Sequence, residues 1–460
     1  MIPMTLGEIA AAVGGELHGP ADLEVTGAAY VDSRRPAAGG LFVAVVGEHT
    51  DGHDHAAGAH AVLGSRPTEA PTVVVDDVVA ALGRLARHVL DRLDVTVLAL
   101  TGSQGKTGTK DLLAGVLAAV VGADRVVATT ANNNNELGVP MTVLRATTAT
   151  SHLVVEMGAR GIGHIGYLCE IAPPDVAAVI NVGSAHVGEF GSREAIAQAK
   201  GEIVEALGAD GVAVLNADDD LTAAMSSRTA AQVLTFGVAG DVAWRAVELD
   251  ELGRPTFELG HEGAWYPVRL RHSGAHQVAN AAAAAAMAIG AGLPADVVAG
   301  ALSEVTGSSP WRMEVSERAD GMVVVNDAYN ANPESMRAAL EALVAIGRRG
   351  GRRTVAVLGE MKELGAEHDA GHRAVGRAAA ELGVDVLLVV GDAAAGIGAG
   401  AQDVSGDSPQ VVPVTTREDA VAWVRQNAGA GDALLVKASR GAALEWVAGQ
   451  VLEQGKDGSR

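Results

Sequence analysis

The chain has 460 residues, room for about three domains of ordinary size, and 48% of them are hydrophobic, enough for a large core. Its formal net charge of −22 argues against a nucleic-acid backbone or an anionic membrane as partner. Cys169 is the only cysteine, which excludes an internal disulfide and a cysteine-rich zinc site and fits a reducing cytosol. The N-terminus has neither a basic n-region nor an apolar h-region, so no secretory signal is expected. The longest bland run, Ala279 to Ala288, is too short and too weakly apolar to span a bilayer.

In chain order, Thr5-Leu-Gly-Glu8 predicts a capping box opening a short helix that Gly14-Gly15 stops. Strands are predicted at Leu41–Val46 and Thr72–Val75, and a helix at Val78–Leu93. Between the strands lies His49-Thr-Asp-Gly-His-Asp-His55, with His60 beyond. A metal site is one reading. A polar loop is preferred, because no pair of histidines sits at helical i,i+4 spacing on a clear helix.

Val95–Leu100 reads as a buried parallel strand and the run from Thr107 to Val121 as a helix. Between them stands Thr101-Gly102-Ser103-Gln104-Gly105-Lys106-Thr107, followed by Gly108. Glycines in a strand-to-helix turn let backbone N–H groups converge on an anion at the helix N-terminus. Lys106 adds a full charge for phosphate, and Thr107 a hydroxyl for Mg²⁺. Leu100 stands where the full phosphate-loop pattern has glycine, so the loop is a variant. An ordinary glycine-rich turn is the alternative, and ATP binding is the working assumption. Further strands at Leu153–Met157, Val176–Asn181 and Gly211–Asn216 alternate with helices, the pattern of a parallel sheet. A small antiparallel addition is predicted from about Asp241 to Leu270, then an alanine-rich helix after His276. From about Ala319 strands at Met322–Asn326, Thr354–Leu358, Val386–Val390 and Ala433–Val436 predict a second doubly wound sheet.

Gly161-Ile-Gly163-His-Ile-Gly166 matches the dinucleotide fingerprint letter for letter. The preceding strand ends near Met157, and no acidic residue closes the next strand, so the match is weak. Open parallel sheets gather their chemistry beyond the carboxyl ends of strands. Those positions hold the phosphate loop, Glu156, the segment leading to His186, Asp327, and Lys437 to Arg440. Glu156 is a hard oxygen donor suited to Mg²⁺. His186 is a less natural Mg²⁺ ligand, able to act directly or through water. In the predicted helix Ser192–Leu207, Lys200 falls inside the stripe of Ile196, Ala199, Ile203 and Leu207. A buried amine shifts towards its neutral form, which can react with CO₂ to give a carbamate oxygen ligand. A snorkelling lysine is the alternative.

Together these motifs resemble the Mur ligases of peptidoglycan synthesis, over nearly the whole chain. Asp32-Ser33-Arg34, Gly40-Leu-Phe42, Gly47 and Asp51-Gly-His53 resemble the family's UDP-sugar domain. The resemblance makes Thr101 to Gly108 the ATP loop, and Asn132 with Asn134-Asn135 and Gly138-Val-Pro140 the loop near the substrate. It makes Thr107, Glu156, His186 and Lys200 as carbamate the metal site, His276 and Asn280 the adenine side, and Arg312 a linker arginine near the phosphates. Gln277 and Trp311 stand where the family usually has asparagine and glycine. Asp327-Ala-Tyr-Asn330-Ala-Asn332-Pro and Gly359-Glu-Met-Lys-Glu363-Leu-Gly365 resemble the member that adds a dipeptide. Lys437, Ser439 and Arg440 resemble its incoming-amine site.

The resemblance implies three α/β domains. These are a UDP-muramyl-peptide-binding domain at 1–93, a central phosphate-loop ATPase domain with a parallel sheet at 94–318, and a Rossmann-like C-terminal domain at 319–460. It implies Lys106, Glu156, His186, Lys200, Arg312 and Asp327 as catalytic residues, with ATP contacts extending to Asp327. Ser33, Arg34, Gly47, Asn134, Asn135, Asn330 and Asn332 join Lys437, Ser439 and Arg440 as substrate contacts. The expected reaction is ATP- and Mg²⁺-dependent joining of D-alanyl-D-alanine to UDP-N-acetylmuramoyl-tripeptide, in the cytoplasm, by a monomer without nucleic-acid or membrane partners. Another ligase of this superfamily, such as a folylpolyglutamate synthase, or a phosphate-loop NTPase that only switches, are the alternatives.

Overall fold

The computed structural model describes residues 1–47, 50–183, 190, 192–306, 309–362, 364–405 and 409–457. The chain divides into two compact units. One comprises residues 1–182, 194–236 and 283–294, the other 183–193, 237–282 and 295–460.

The first unit opens as predicted. Thr5 and Glu8 cap helix Leu6–Val13 reciprocally, and Gly14 ends it in the left-handed region at φ 65°. A five-stranded sheet follows in the order Glu16–His18, Thr72–Val74, Ala61–Gly64, Leu41–Val43 and Ala29–Tyr30. Only its first pair is antiparallel. Helix Val78–Leu90, capped by Asp77, packs its apolar face inward.

Six parallel strands of the same unit run in the order Gln232–Phe236, Val212–Asn216, Val176–Val179, Thr96–Thr101, His152–Glu156 and Val126–Ala128. Their central members are almost wholly buried, as parallel strands covered on both faces must be. The chain leaves Thr96–Thr101 on one side of it and later returns on the other, so this strand sits at the topological switch point. A crevice opens beyond the carboxyl end of such a strand, and that end is Thr101.

In the second unit Val242–Leu249, Pro255–His261 and Ala264–Arg269 form the expected antiparallel addition. The last sheet runs Glu314–Glu317, Val323–Asn326, Asp432–Lys437, Arg353–Leu358, Val386–Val390 and Gln410–Val414, parallel after its first pair. Separate apolar clusters cover its two faces, one including Leu340, Leu343 and Ile397, the other Val421, Val447 and Val451. Among the described residues no helix is long and apolar enough to cross a membrane.

Candidate functional site

The turn after Thr101 is shaped by two glycines. Gly105 adopts φ 79° immediately before helix Lys106–Val121, a conformation costly to any other residue. A Cβ on Gly102 would lie 2.9 Å from Ile180. Asn181 Oδ1 accepts the N–H groups of Ser103 at 3.1 Å and Gln104 at 2.9 Å, tying the loop to the next strand. The Lys106 ammonium donates to its own loop's carbonyls, Gly102 at 2.5 Å and Ser103 at 3.3 Å.

Glu156 ends its strand 1% exposed. Thr107 Oγ1 donates to its Oε2 at 2.9 Å, and Asn134 Nδ2 to its Oε1 at 2.8 Å. Phosphate loop, strand end and asparagine loop thus meet at one buried carboxylate. A Cβ on Gly158 would strike the Asn134 amide at 2.9 Å, so that contact needs glycine. Asn135 instead accepts the N–H groups of Leu137 and Gly138 at the start of helix Gly138–Val143. Lys200, on helix Arg193–Glu205, is buried. Burial first, and the charge of Lys106 second, hold its amine far below the ordinary lysine range. His186 lies outside the described residues. Among those described, no cluster of three or more histidine, cysteine or acidic residues forms a metal cage.

The dinucleotide-like turn already has its anion. Glu202, two residues after Lys200, accepts the N–H of Gly163 at 2.6 Å and of Gly166 at 2.9 Å, at the start of helix His164–Ile171. A pyrophosphate would have to displace a buried carboxylate. Cys169 on that helix is pushed up to about 12 by burial and neighbouring acids, so its thiol is inert.

In the N-terminal sheet the described part of the histidine-rich segment, residues 50–55, is a polar turn whose short helix Gly52–His55 is capped by Asp51. His53 Nδ1 faces Asp51 at 2.5 Å, and its Nε2 accepts the Ser65 N–H at 2.8 Å, leaving no lone pair for a metal. Arg66 closes the network on Asp51 and Asp54. Arg34 grips Asp32 with two hydrogen bonds, which hold that carboxyl down at about 2. Ser33 lies in the same turn, and the Gly47 N–H donates to Thr50 O at 2.9 Å.

The remaining expected residues lie in the second unit. Asp327 accepts Lys437 Nζ on Oδ2 at 2.5 Å and the Met313 N–H on Oδ1 at 3.0 Å. Lys437 also donates to Asn330 O at 2.9 Å and is 2% exposed. The pair clamps the loop that follows strand Val323–Asn326. Asn330 Oδ1 accepts the Ala331 N–H, and Asn332 caps helix Pro333–Gly350 in a capping box with Ser335. Ser439 Oγ accepts the Lys362 N–H at 2.9 Å. Arg312 lies 4.1 Å from the Tyr329 ring centroid, and its buried Nε has no hydrogen-bond partner among the described residues. Trp311 and Met313 on either side hold φ 60° and 47°, a strain of about 1–3 kcal/mol each. Asn280 donates to Gln277 at 3.0 Å, while His276 is exposed.

Three residues outside the expected set hold these parts in place: Asn181, Glu202 and His372. Fully buried, His372 donates from Nδ1 to His368 O at 2.7 Å and accepts the Met361 N–H on Nε2 at 2.9 Å, fixing the loop after strand Arg353–Leu358. Asn181 was visible as a strand end. The other two depend on long-range partners that local sequence does not reveal.

Comparison with known proteins agrees with this geometry. Residues 100–288 match the Mur ligase middle domain, and 311–440 the Mur ligase, glutamate ligase domain. The UDP-N-acetylmuramoyl-tripeptide–D-alanyl-D-alanine ligase of Mycobacterium tuberculosis is 43% identical, with 100% of this chain and 99% of the relative covered. This chain belongs to the Mur ligase family. The enzyme of the same name from Escherichia coli is 34% identical to this Mur ligase, over 99% of the chain and 100% of the relative. A solved MurF from Acinetobacter baumannii superposes with TM-score 0.86 at 31% identity, covering 98% of this chain and 99% of that one. MurF from Thermotoga maritima, solved in complex with ADP, gives 0.80 at 31% identity, over 94% and 98%.

Proposed function

We propose that this Mur ligase uses ATP to join D-alanyl-D-alanine to UDP-N-acetylmuramoyl-tripeptide through an acyl phosphate, releasing ADP and phosphate. The observation that carries the reading is the buried Glu156 carboxylate, which links Thr107 of the phosphate loop to Asn134 of the neighbouring loop. The full-length likeness to ligases of that name supports the choice of substrates. We assign residues 1–93 to the UDP-linked substrate, 94–318 to ATP and 319–460 to the amine.

In this mechanism the loop's N–H groups bind the phosphates, and Lys106 swings from its own carbonyls onto the γ-phosphate. A charge preorganised there stabilises the transition state as the substrate carboxylate attacks phosphorus. The dipeptide amine then attacks the acyl carbon, loses a proton, and phosphate leaves. Arg312, Asp327, His276 and Asn280 are assigned to ATP. Ser33, Arg34, Gly47, Asn134, Asn135, Asn330, Asn332, Lys437, Ser439 and Arg440 are assigned to the two substrates. Many of these side chains bind the protein's own backbone, so their proposed role is to hold loops in shape. The paired oxygens of Thr107 and Glu156 fit a hard cation such as Mg²⁺, with His186 and carbamylated Lys200 as further donors. When bound, the ion would offset phosphate charge. ATP and a UDP-linked precursor place the reaction in the cytoplasm, and we take the working unit as a monomer.

Mass spectrometry of a substrate panel tests the reading. UDP-N-acetylmuramoyl-tripeptide, D-alanyl-D-alanine and ATP together should give the pentapeptide product, and omission of any one should abolish it. Product from glutamate and a folate instead, or ATP turnover without either substrate, would overturn it.

A further inference from the structure

One turn beyond Lys106, on the same helix, a second lysine is 3% exposed and takes no part in the mechanism above. Lys110 pairs with Asp111 Oδ1 at 2.5 Å and donates to the carbonyl oxygen of Thr129 at 2.9 Å. A buried ammonium is costly even with such partners. What this one secures is visible at Thr129, the residue that follows edge strand Val126–Ala128.

That strand runs parallel to His152–Glu156, with Ala128 opposite Val154. The Thr129 N–H continues the ladder, donating to Val154 O at 2.9 Å. The next rung of a parallel ladder would carry the Glu156 N–H to the Thr129 carbonyl. Here the Glu156 N–H instead donates to Thr129 Oγ1 at 3.0 Å, and the carbonyl is turned to Lys110. A side chain thus stands in for the backbone where the chain leaves the sheet to form the asparagine loop. Thr129 is 1% exposed, and its N–H, carbonyl and hydroxyl are all bound. The helix therefore meets Glu156 twice. Thr107 reaches the carboxylate directly. Lys110, three residues on and on the same helix face, reaches the Glu156 backbone through Thr129. At its far end the loop returns Asn134 to the other carboxylate oxygen.

We propose that Lys110 is a positioning residue. By holding the Thr129 carbonyl out of the ladder it sets the root of the asparagine loop, and with it the placement of the Glu156 carboxylate that takes the cation of the bound nucleotide. The inference rests on the reading above for a nucleotide and a hard cation at this carboxylate, and adds to it a residue and the route by which that residue acts.

The test is calorimetric titration of the full chain with ADP at rising Mg²⁺. Lys110→Met keeps the length of the side chain and leaves the Thr129 carbonyl without its donor. Thr129→Val keeps the shape and removes the acceptor of the Glu156 N–H. Each should raise the Mg²⁺ concentration for half-maximal ADP binding about tenfold, the low end of what partners of a metal ligand are worth, and leave ADP affinity without Mg²⁺ within about twofold. The double variant should be no worse than the poorer single one, because both changes act at one residue. Thr129→Ser, which keeps the hydroxyl, should keep the parental Mg²⁺ requirement. A lower unfolding midpoint in the single variants with an unmoved Mg²⁺ requirement would reduce Lys110 to a structural tie and overturn the inference, as would effects that simply add. Both outcomes leave the ligase reading intact. Failure of the unaltered protein to bind ADP, or binding indifferent to Mg²⁺, would instead remove the nucleotide and cation reading and this inference with it.

Discussion

Replacing Asp327 by alanine isolates the energetics of the clamp in the last sheet. Lys437 is 2% exposed and Asp327 13% exposed, with Nζ and Oδ2 2.5 Å apart. Without the carboxylate the ammonium keeps Asn330 O at 2.9 Å but no counter-charge, and the Met313 N–H loses its acceptor. Removing one partner of a buried ion pair costs about 3–5 kcal/mol. For a sheet domain of this size that lowers the unfolding midpoint by roughly 10 °C. Scanning calorimetry of the full chain measures it. The double variant Asp327→Ala with Lys437→Met removes the orphaned charge as well, and should recover at least half of the loss, because an apolar replacement of a buried pair is close to neutral. If the double variant is stable but makes no product, the pair serves chemistry as well as folding. An unchanged midpoint in Asp327→Ala, or a double variant as unstable as the single, would refute the argument.

Lys106→Ala should lower turnover at least about 10²-fold with an unchanged unfolding midpoint, and near-normal turnover would remove the phosphate-loop assignment. Lys200→Ala should be nearly inactive and partly rescued by short carboxylates. Lys200→Arg should be inactive, since arginine keeps its charge and cannot be carbamylated, and a fully active Lys200→Arg enzyme would decide for a snorkelling lysine. Burial holds His372 below its ordinary 6.5, so under acid conditions the unfolded chain takes up the proton first. The stability this contributes is complete above pH 6.5 and is lost as pH falls from there towards the native value. Urea unfolding across that window should show a shallower acid-side decline for His372→Gln, and parallel declines would contradict the buried, neutral imidazole.

The parts legible in the sequence are those written locally. Glycines between an apolar strand and a helix announce a phosphate loop, and the apolar stripe through Ile196 and Ile203 predicts the burial that Lys200 shows. Edge strands were harder to see. Val126–Ala128 is three residues long, while Glu314–Glu317 is Glu-Val-Ser-Glu, with glutamate at both ends and no apolar run. Gln410–Val414 contains a proline, which only an edge tolerates. Long-range pairing escaped altogether. Nothing near Lys437 tells of an aspartate 110 residues away, and nothing near Gly163 tells that Glu202 fills its turn. The fingerprint at Gly161 to Gly166 shows the reverse error, since the same N–H groups that would hold a pyrophosphate also cap onto an internal carboxylate.

The central claim is that ATP activates a carboxylate as an acyl phosphate before the amide forms. Labelling the terminal carboxylate of UDP-N-acetylmuramoyl-tripeptide with ¹⁸O tests it directly. Attack of that carboxylate on phosphorus leaves one of its oxygens on the released phosphate, so each molecule of pentapeptide product should be accompanied by one singly labelled phosphate. Unlabelled phosphate released alongside product would contradict the account.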